Sequence, residues 1–288
     1  MMLQPHLSAP RAPRPYGSCY GEASVTNVTA AADNSSSTWG TCFSGDDAAM
    51  RKIDTEHEML IKDELTFLAG LVALESLDII ELGCGKADMA RELLRRYPDA
   101  RVTGLEVDQV QHAKNRANPQ AGLTFVAAGA QAIPFAQARF DLAVMLKSLH
   151  HIPQALMKQA LDDIARVLKP GGLLYVSEPV FAGSLNDISR LYNDEEVVRG
   201  YAQQALDEAL LNGKWVQVAQ ERFDMPAYYK NFEDFEIRNM RPSFAEHKID
   251  DIKLAQVKAV FDPYCGENGV TFDKPQHVRL LKRTSFSA

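Results

Sequence analysis

What the sequence goes without already narrows its chemistry. Only four of its 288 residues are cysteines (Cys19, Cys42, Cys84 and Cys265). No two of them form a C-x-x-C pair, and none joins histidines at ligand spacing. This argues against a disulfide framework and a structural zinc site, so no metal is expected. A reducing, cytoplasmic setting is the default. No apolar run approaches the roughly 20 residues that a bilayer-crossing helix needs, so no membrane insertion is expected. Basic blocks are missing as well. With a net charge of −7, nucleic acid is not the expected partner. Nothing in the pattern fixes an oligomeric state, and no internal repeat is evident.

Sustained periodicity is absent from residues 1–50. The stretch "SAPRAPRPYGSCYGEASVTNVTAAADNSSSTWGT" is rich in Ser, Ala, Pro, Thr and Asn. It offers too little apolar surface to offset its ordering entropy, which predicts a disordered N-terminal extension. Asn27-Val-Thr and Asn34-Ser-Ser match the glycosylation sequon, but no secretory apolar segment precedes them, and they are read as chance.

From there on, strand and helix signals alternate. Residues 57–74 carry Ile61, Leu65, Leu68 and Val72 at helical spacing. "DIIEL" (78–82) reads as a strand, "ADMARELLRRY" as a helix, and "RVTGLEV" (101–107) as a second strand before a helix capped by Asp108. "LTFVAA" (123–128) and the nearly all-apolar "FDLAVMLKSL" (140–149) predict a third and fourth strand, the latter covered on both faces. Met157, Ala160, Leu161, Ile164, Ala165 and Leu168 mark a helix over 154–168 that stops at "KPGG", and "LLYVSEPV" (173–180) follows as a fifth strand. Such alternation predicts an α/β fold: a doubly wound, mostly parallel, Rossmann-like sheet with helices on both faces. Beyond residue 180 the pattern loosens. A helix around 198–209, a strand over 215–223, a helix over 245–261 and a closing strand over 276–283 are expected.

In such sheets ligands sit beyond the carboxyl ends of the strands. There "ELGCGKAD" places Gly83 and Gly85 around Cys84, stripping two side chains from a tight turn. A dinucleotide site would want a third small residue where Asp88 stands, and an acid beside a pyrophosphate repels it. A cofactor without phosphates fits better.

"IIELGCGKA", "VTGLEVD", "AIPFAQARFDLAV", "LHHI" and "RVLKPGGLLYVSEP" together resemble the class I S-adenosylmethionine-dependent methyltransferases, in the branch shared with small-molecule and quinone-biosynthesis enzymes. The resemblance covers about residues 78–180. It implies a methyltransferase domain over 51–288, with S-adenosylmethionine as cofactor and a small-molecule methyl acceptor whose lid or pocket is formed within 181–262. The implied transfer is to an O, N, S or C atom. It places Glu81, Gly83, Cys84 and Gly85 around the methionine portion and Glu106 on the ribose hydroxyls. Leu105 and Val107 would be neighbours of the adenine, and Leu146 and Lys147 would close the pocket. Gly129 stands where the family commonly has an acid contacting the adenine amino group, so that contact falls to the backbone of Gly129 and Ala130, to Gln131 or to water.

His150 and His151 follow the fourth strand, where one of them could take a proton from an acceptor; Glu178, ending the fifth strand, has similar standing. Methyl transfer can also run on proximity and alignment alone. Cys84 has no neighbouring base and is expected to be filler. Tyr228, Tyr229, Phe232 and Phe235 are expected to pack rather than to cage a substrate. Two other readings of the chain are a catalytically inactive, methyltransferase-like partner subunit and a nucleotide-dependent oxidoreductase, the latter disfavoured by Asp88.

Overall fold

The computed structural model describes residues 59–61, 63–241 and 249–284; the expected extension over 1–50 lies outside them. Its elements follow the predicted alternation. They run β1 (Met59–Leu60), α1 (Glu64–Leu71), β2 (Asp78–Leu82), α2 (Asp88–Arg96), β3 (Arg101–Leu105), α3 (Gln109–Ala117), β4 (Leu123–Val126) and β5 (Phe140–Leu146). After a one-turn 3-10 helix at Leu149–His151 come α4 (Gln154–Val167), β6 (Leu168–Pro179), α5 (Ser184–Ser189), α6 (Glu196–Leu211), β7 (Trp215–Tyr229), α7 (Phe232–Phe235), α8 (Asp251–Phe261) and β8 (Val270–Arg283).

The eight strands form one sheet in the order β1-β7-β8-β6-β5-β2-β3-β4. Strands β2 to β6 pair parallel with one another, while β8 runs antiparallel to both β6 and β7. Strand order reverses between β2 and β5, which opens a crevice at their carboxyl ends. Each face has its own core. Ile80, Leu82, Met145, Met157, Ile164 and Leu206 fill the side of α4 and α6. Ile79, Leu65, Leu68, Leu93 and Val144 fill the side of α1 and α2. Burial on both faces is why these strands read as unbroken apolar runs.

Several elements differ from expectation, among them the closing strand, which begins at Val270 rather than at 276, and the last helix, which begins at Asp251 rather than at 245. The helix over 57–74 is confined to Glu64–Leu71, because Asp63 caps it by accepting the N–H groups of Leu65 and Thr66. Strand β6 begins at Leu168, with "KPGG" as its irregular start rather than a loop; Gly171 has φ +78° there. Strand β7 runs on to Tyr229 as one arm of a long pairing with β8, so residues 225–229 of the expected lid belong to the sheet. Pro226 is tolerated because β1 pairs only with Phe223 and Asp224, leaving the proline at a free edge. The chain between β7 and β8 carries α7 and α8, which pack with α5 as a third cluster around Phe235, Phe261 and Phe272.

Candidate active site

Alternation along β2 sends Ile80 and Leu82 to one face and Ile79 and Glu81 to the other, toward α2. Ala87, at the N-cap of α2, has no side chain with which to cap it. Glu81 supplies an acceptor to the N–H of Ala90 instead. Glu81 is 5% exposed, and its Oε2 has no hydrogen-bond partner among the described residues. Burial pushes its pKa up to about 8; the Ala90 N–H offsets part of this, and the charges of Asp88 and Glu106 add to it. A buried carboxylate oxygen lacking a partner is a standing cost that a cationic ligand would offset.

The two glycines do different things. The N–H groups of Gly83 and Cys84 both donate to the Leu105 carbonyl, at 3.0 and 2.9 Å, tying the turn to the exit of β3. A Cβ on Gly83 (φ +71°) would stand 2.9 Å from Ser148 Cβ, so this glycine makes room for Ser148, whose hydroxyl donates to the Leu82 carbonyl at 2.8 Å. A Cβ on Gly85 (φ +53°) would meet nothing within 4 Å. That is the open face of the turn.

Cys84 turns inward. Its Sγ would lie 2.9 Å from a Cβ on Gly104, and burial holds its pKa far above the ordinary thiol range. It is packing, as expected. Gly104 was not expected at the site; its only signal is a glycine inside a strand, which marks a close approach.

Glu106 sits beside the open face. Its Oε2 accepts the Gly85 N–H and its Oε1 the Asp108 N–H, both at 2.8 Å. Each oxygen keeps a further lone pair. Asp108, two residues on, is spent on capping α3 through the N–H groups of Val110 and Gln111, as expected. Val107 is exposed, whereas the Leu105 side chain is fully buried in the core.

Past β4, the Gln131 carboxamide folds over Gly129 so closely that a Cβ there would lie 2.4 Å from its Oε1. The amide therefore fills the space that a side chain at 129 would need. This segment is latched from α4. Arg166 donates to the Ile133 and Phe135 carbonyls at 2.8 and 2.6 Å, and Asp163 accepts the Ile133 N–H at 2.6 Å. The helical periodicity gave no sign of that latch. At the exit of β5, Leu146 is half-buried and Lys147 adopts φ +55°, its ammonium donating to Glu64 at 2.7 Å.

The 3-10 turn after β5 separates the two histidines. His150 is buried, with Nδ1 against Glu178 Oε2. The other Glu178 oxygen accepts the N–H groups of Ser148 and Leu149 at 3.2 and 2.8 Å. Donors on this oxygen leave Glu178 Oε2 to accept from the imidazole, which suits a proton on Nδ1. Nε2 lies 3.8 Å from Glu195 Oε2, a carboxylate that Arg199 and Asn193 hold at 2.7 and 2.8 Å. His151 is exposed, its ring 4.1 Å from that of His150. Loss of hydration, then the neighbouring His150, draws its pKa below the ordinary imidazole value. Tyr229, Phe232 and Phe235 pack edge-on and stacked in the third cluster, as expected, while Tyr228 is half exposed and donates to the Asn268 carbonyl at 3.1 Å.

An open glycine turn, an adjoining anchored carboxylate and a parallel sheet that reverses order beside them define a class, and comparison with known proteins agrees. A family model described as "Methyltransferase domain" matches residues 79–172. The 27-O-demethylrifamycin SV methyltransferase of Amycolatopsis mediterranei is 30% identical over 227 residues, covering 72% of this chain and 81% of that protein. The chain belongs to the class I S-adenosylmethionine-dependent methyltransferases. It is also 37% identical over 101 residues to the fatty-acid O-methyltransferase of Mycolicibacterium smegmatis, covering 34% of this chain and only 36% of that one. The structure of the YcgJ protein from Bacillus subtilis shares the fold, with a TM-score of 0.55 at 14% identity over 77% of this chain and 98% of that one. Among the described residues, no helix is long and apolar enough to cross a membrane.

Proposed function

We propose that the protein transfers the methyl group of S-adenosylmethionine to an oxygen atom of a small molecule. The residues present suit that cofactor. The unpartnered Oε2 of Glu81 matches the cationic amino group of its methionine end, and the open face of Gly85 leaves room beside it. Glu106, fixed by Gly85 and Asp108, retains lone pairs for the two ribose hydroxyls. Val107, Gly129 and Ala130 would flank the adenine. Gln131, whose amide replaces an acid at 129, offers an acceptor for the adenine amino group. Leu146 and the main chain of Lys147 would close the near side. When bound, S-adenosylmethionine supplies an electrophilic methyl carbon on a sulfonium.

The observation that carries the choice of oxygen is the pairing of His150 with Glu178. A hydroxyl needs to lose its proton as it attacks, and Nε2 of a neutral His150 would receive it. Glu178 then stabilises the imidazolium through Nδ1, and Glu195 faces its other nitrogen. His151, more exposed, would line the entrance. Residues 181–211, 230–241 and 249–262 would roof the acceptor and keep water out.

Calorimetry with S-adenosylhomocysteine, followed by methyl-transfer assays over hydroxylated metabolites, tests this. His150→Ala should lower turnover by about 10²–10⁴-fold while leaving S-adenosylhomocysteine affinity within about twofold. Absence of saturable cofactor binding would overturn the assignment. An unimpaired His150→Ala enzyme would remove the base.

A further inference from the structure

Two elements bring three ligand-type side chains together. His150 and His151 stand on the 3-10 turn after β5, and Glu195 is the N-cap residue of α6. One donor atom from each lies within 4.8 Å of the other two. Glu195 makes no side-chain capping hydrogen bond to its helix. Its Oε2 instead faces His150 Nε2 at 3.8 Å, beyond hydrogen-bond reach. In a neutral ring protonated at Nδ1, Nε2 keeps its lone pair. Two electron-rich atoms then face each other across a narrow gap, which favours an electropositive centre between them.

The supports around this trio are those that a metal site uses. Glu178 braces His150 through Nδ1, as carboxylates commonly brace ligating histidines. Asn193 holds Glu195 Oε1 at 2.8 Å and Arg199 holds Oε2 at 2.7 Å, which fixes the carboxylate. Each oxygen still has a further lone pair to offer. Bonds of about 2.0–2.1 Å to a tetrahedral ion set its ligands roughly 3.3 Å apart, so the edge from His150 to Glu195 needs little closing. His151 is exposed and has room to swing inward. Two imidazoles and one carboxylate suit zinc, cobalt or nickel, whereas magnesium and calcium prefer oxygen alone. The Arg199 guanidinium shares the ligating oxygen and weakens its pull on a cation, which favours reversible binding. Spacing along the chain could not reveal the trio, because Glu195 arrives from a separate element.

We infer that His150, His151 and Glu195 form a reversible site for a divalent transition-metal ion, zinc above all, with a fourth position open to water. The site stands on geometry. Its effect rests on the reading of His150 as the proton acceptor: an ion on Nε2 takes the same lone pair that the hydroxyl proton needs. Zinc therefore inhibits methyl transfer and leaves the glycine turn untouched.

Cobalt, a visible stand-in for zinc, tests this by titration into the metal-free full chain near neutral pH, without S-adenosylhomocysteine. Ligand-field bands should saturate at one equivalent and disappear when zinc is added. His151→Ala and Glu195→Gln should each weaken cobalt by about tenfold or more, with S-adenosylhomocysteine affinity unchanged. Zinc should also slow transfer to a hydroxylated acceptor, with an inhibition constant that rises by about tenfold or more in His151→Ala. Absence of the bands, bands undiminished in both variants, or a sulfur-to-cobalt band marking a cysteine site would overturn the inference. So would zinc that binds the trio yet leaves the rate unchanged or raises it. A chain that binds cobalt but transfers no methyl group counts against the parent reading alone, and the spectra still decide the site.

Discussion

Glu81 shows how a single residue ties the candidate site to the stability of the whole chain. Its folded-state pKa is raised from 4.5 to about 8, chiefly by burial. Below pH 4.5 the group is neutral whether the chain is folded or not, and it costs nothing. Above that, the unfolded chain ionises first, so folding takes up a proton. The folded state then loses ground as pH rises from about 4.5 to about 8 and stays level beyond. Glu81→Gln removes this titration. Urea midpoints measured at pH 5 and pH 8 should therefore fall less in the variant than in the wild type. Equal falls would mean that another group governs the slope. A cationic amino group arriving beside Glu81 should cancel the penalty, coupling ligand binding to proton release near neutrality.

At the scale of elements, the glycine turn makes a sharper statement than its sequence could. Gly83→Ala sets a methyl group 2.9 Å from Ser148, on top of a left-handed backbone; Gly85→Ala incurs the backbone cost alone, about 1–2 kcal/mol. Thermal melts should show the larger loss for Gly83→Ala. S-adenosylhomocysteine titrations should show at least a tenfold weakening for Gly85→Ala, because its new methyl group enters the open face. Normal affinity in Gly85→Ala would place the ligand elsewhere. What was legible here was local. "DIIELGCG" carries strand, turn and bare main chain within eight residues, and Asp108 announces itself as a helix cap by its position. What was not legible depends on partners far along the chain. His150 and Glu178 meet only because β5 and β6 pair in the register Met145 to Val176, and two adjacent histidines look equivalent until that pairing buries one and exposes the other. Gln131 lying over Gly129, and the Arg166 latch beneath them, are likewise products of folding.

For the molecule as a whole, the separate aromatic cluster joining α5, α7 and α8 to the far ends of β7 and β8 suggests a division of labour. Phe261 is fully buried there, among Tyr229, Phe232, Phe235 and Phe272. Phe261→Ala should cost about 3–5 kcal/mol of packing, concentrated in that cluster, which shares no residue with the core behind the glycine turn. The expected outcome is cofactor affinity close to wild type with acceptor turnover much reduced, read by calorimetry and initial rates. Parallel losses of both would show the two regions to be one cooperative unit. The fold class and the succession of β2 to β6 along the chain could be read from the alternation of strand and helix signals, whereas the sheet order and the reach of β7 to Tyr229 could not. "RFDMPAYY" is broken by two charged residues and a proline, and it becomes a strand only because β8 lies beside it.

That last strand has a consequence for synthesis. Strand β8 is made after all the others, yet it is inserted between β6 and β7, supplying the hydrogen bonds along one side of each. A nascent chain still lacking it would present two unsatisfied sheet edges at once, the arrangement most open to adhesion between copies. The ribosome must therefore deliver the chain as far as Arg283 before this sheet can close, and any help from chaperones would matter most in that interval.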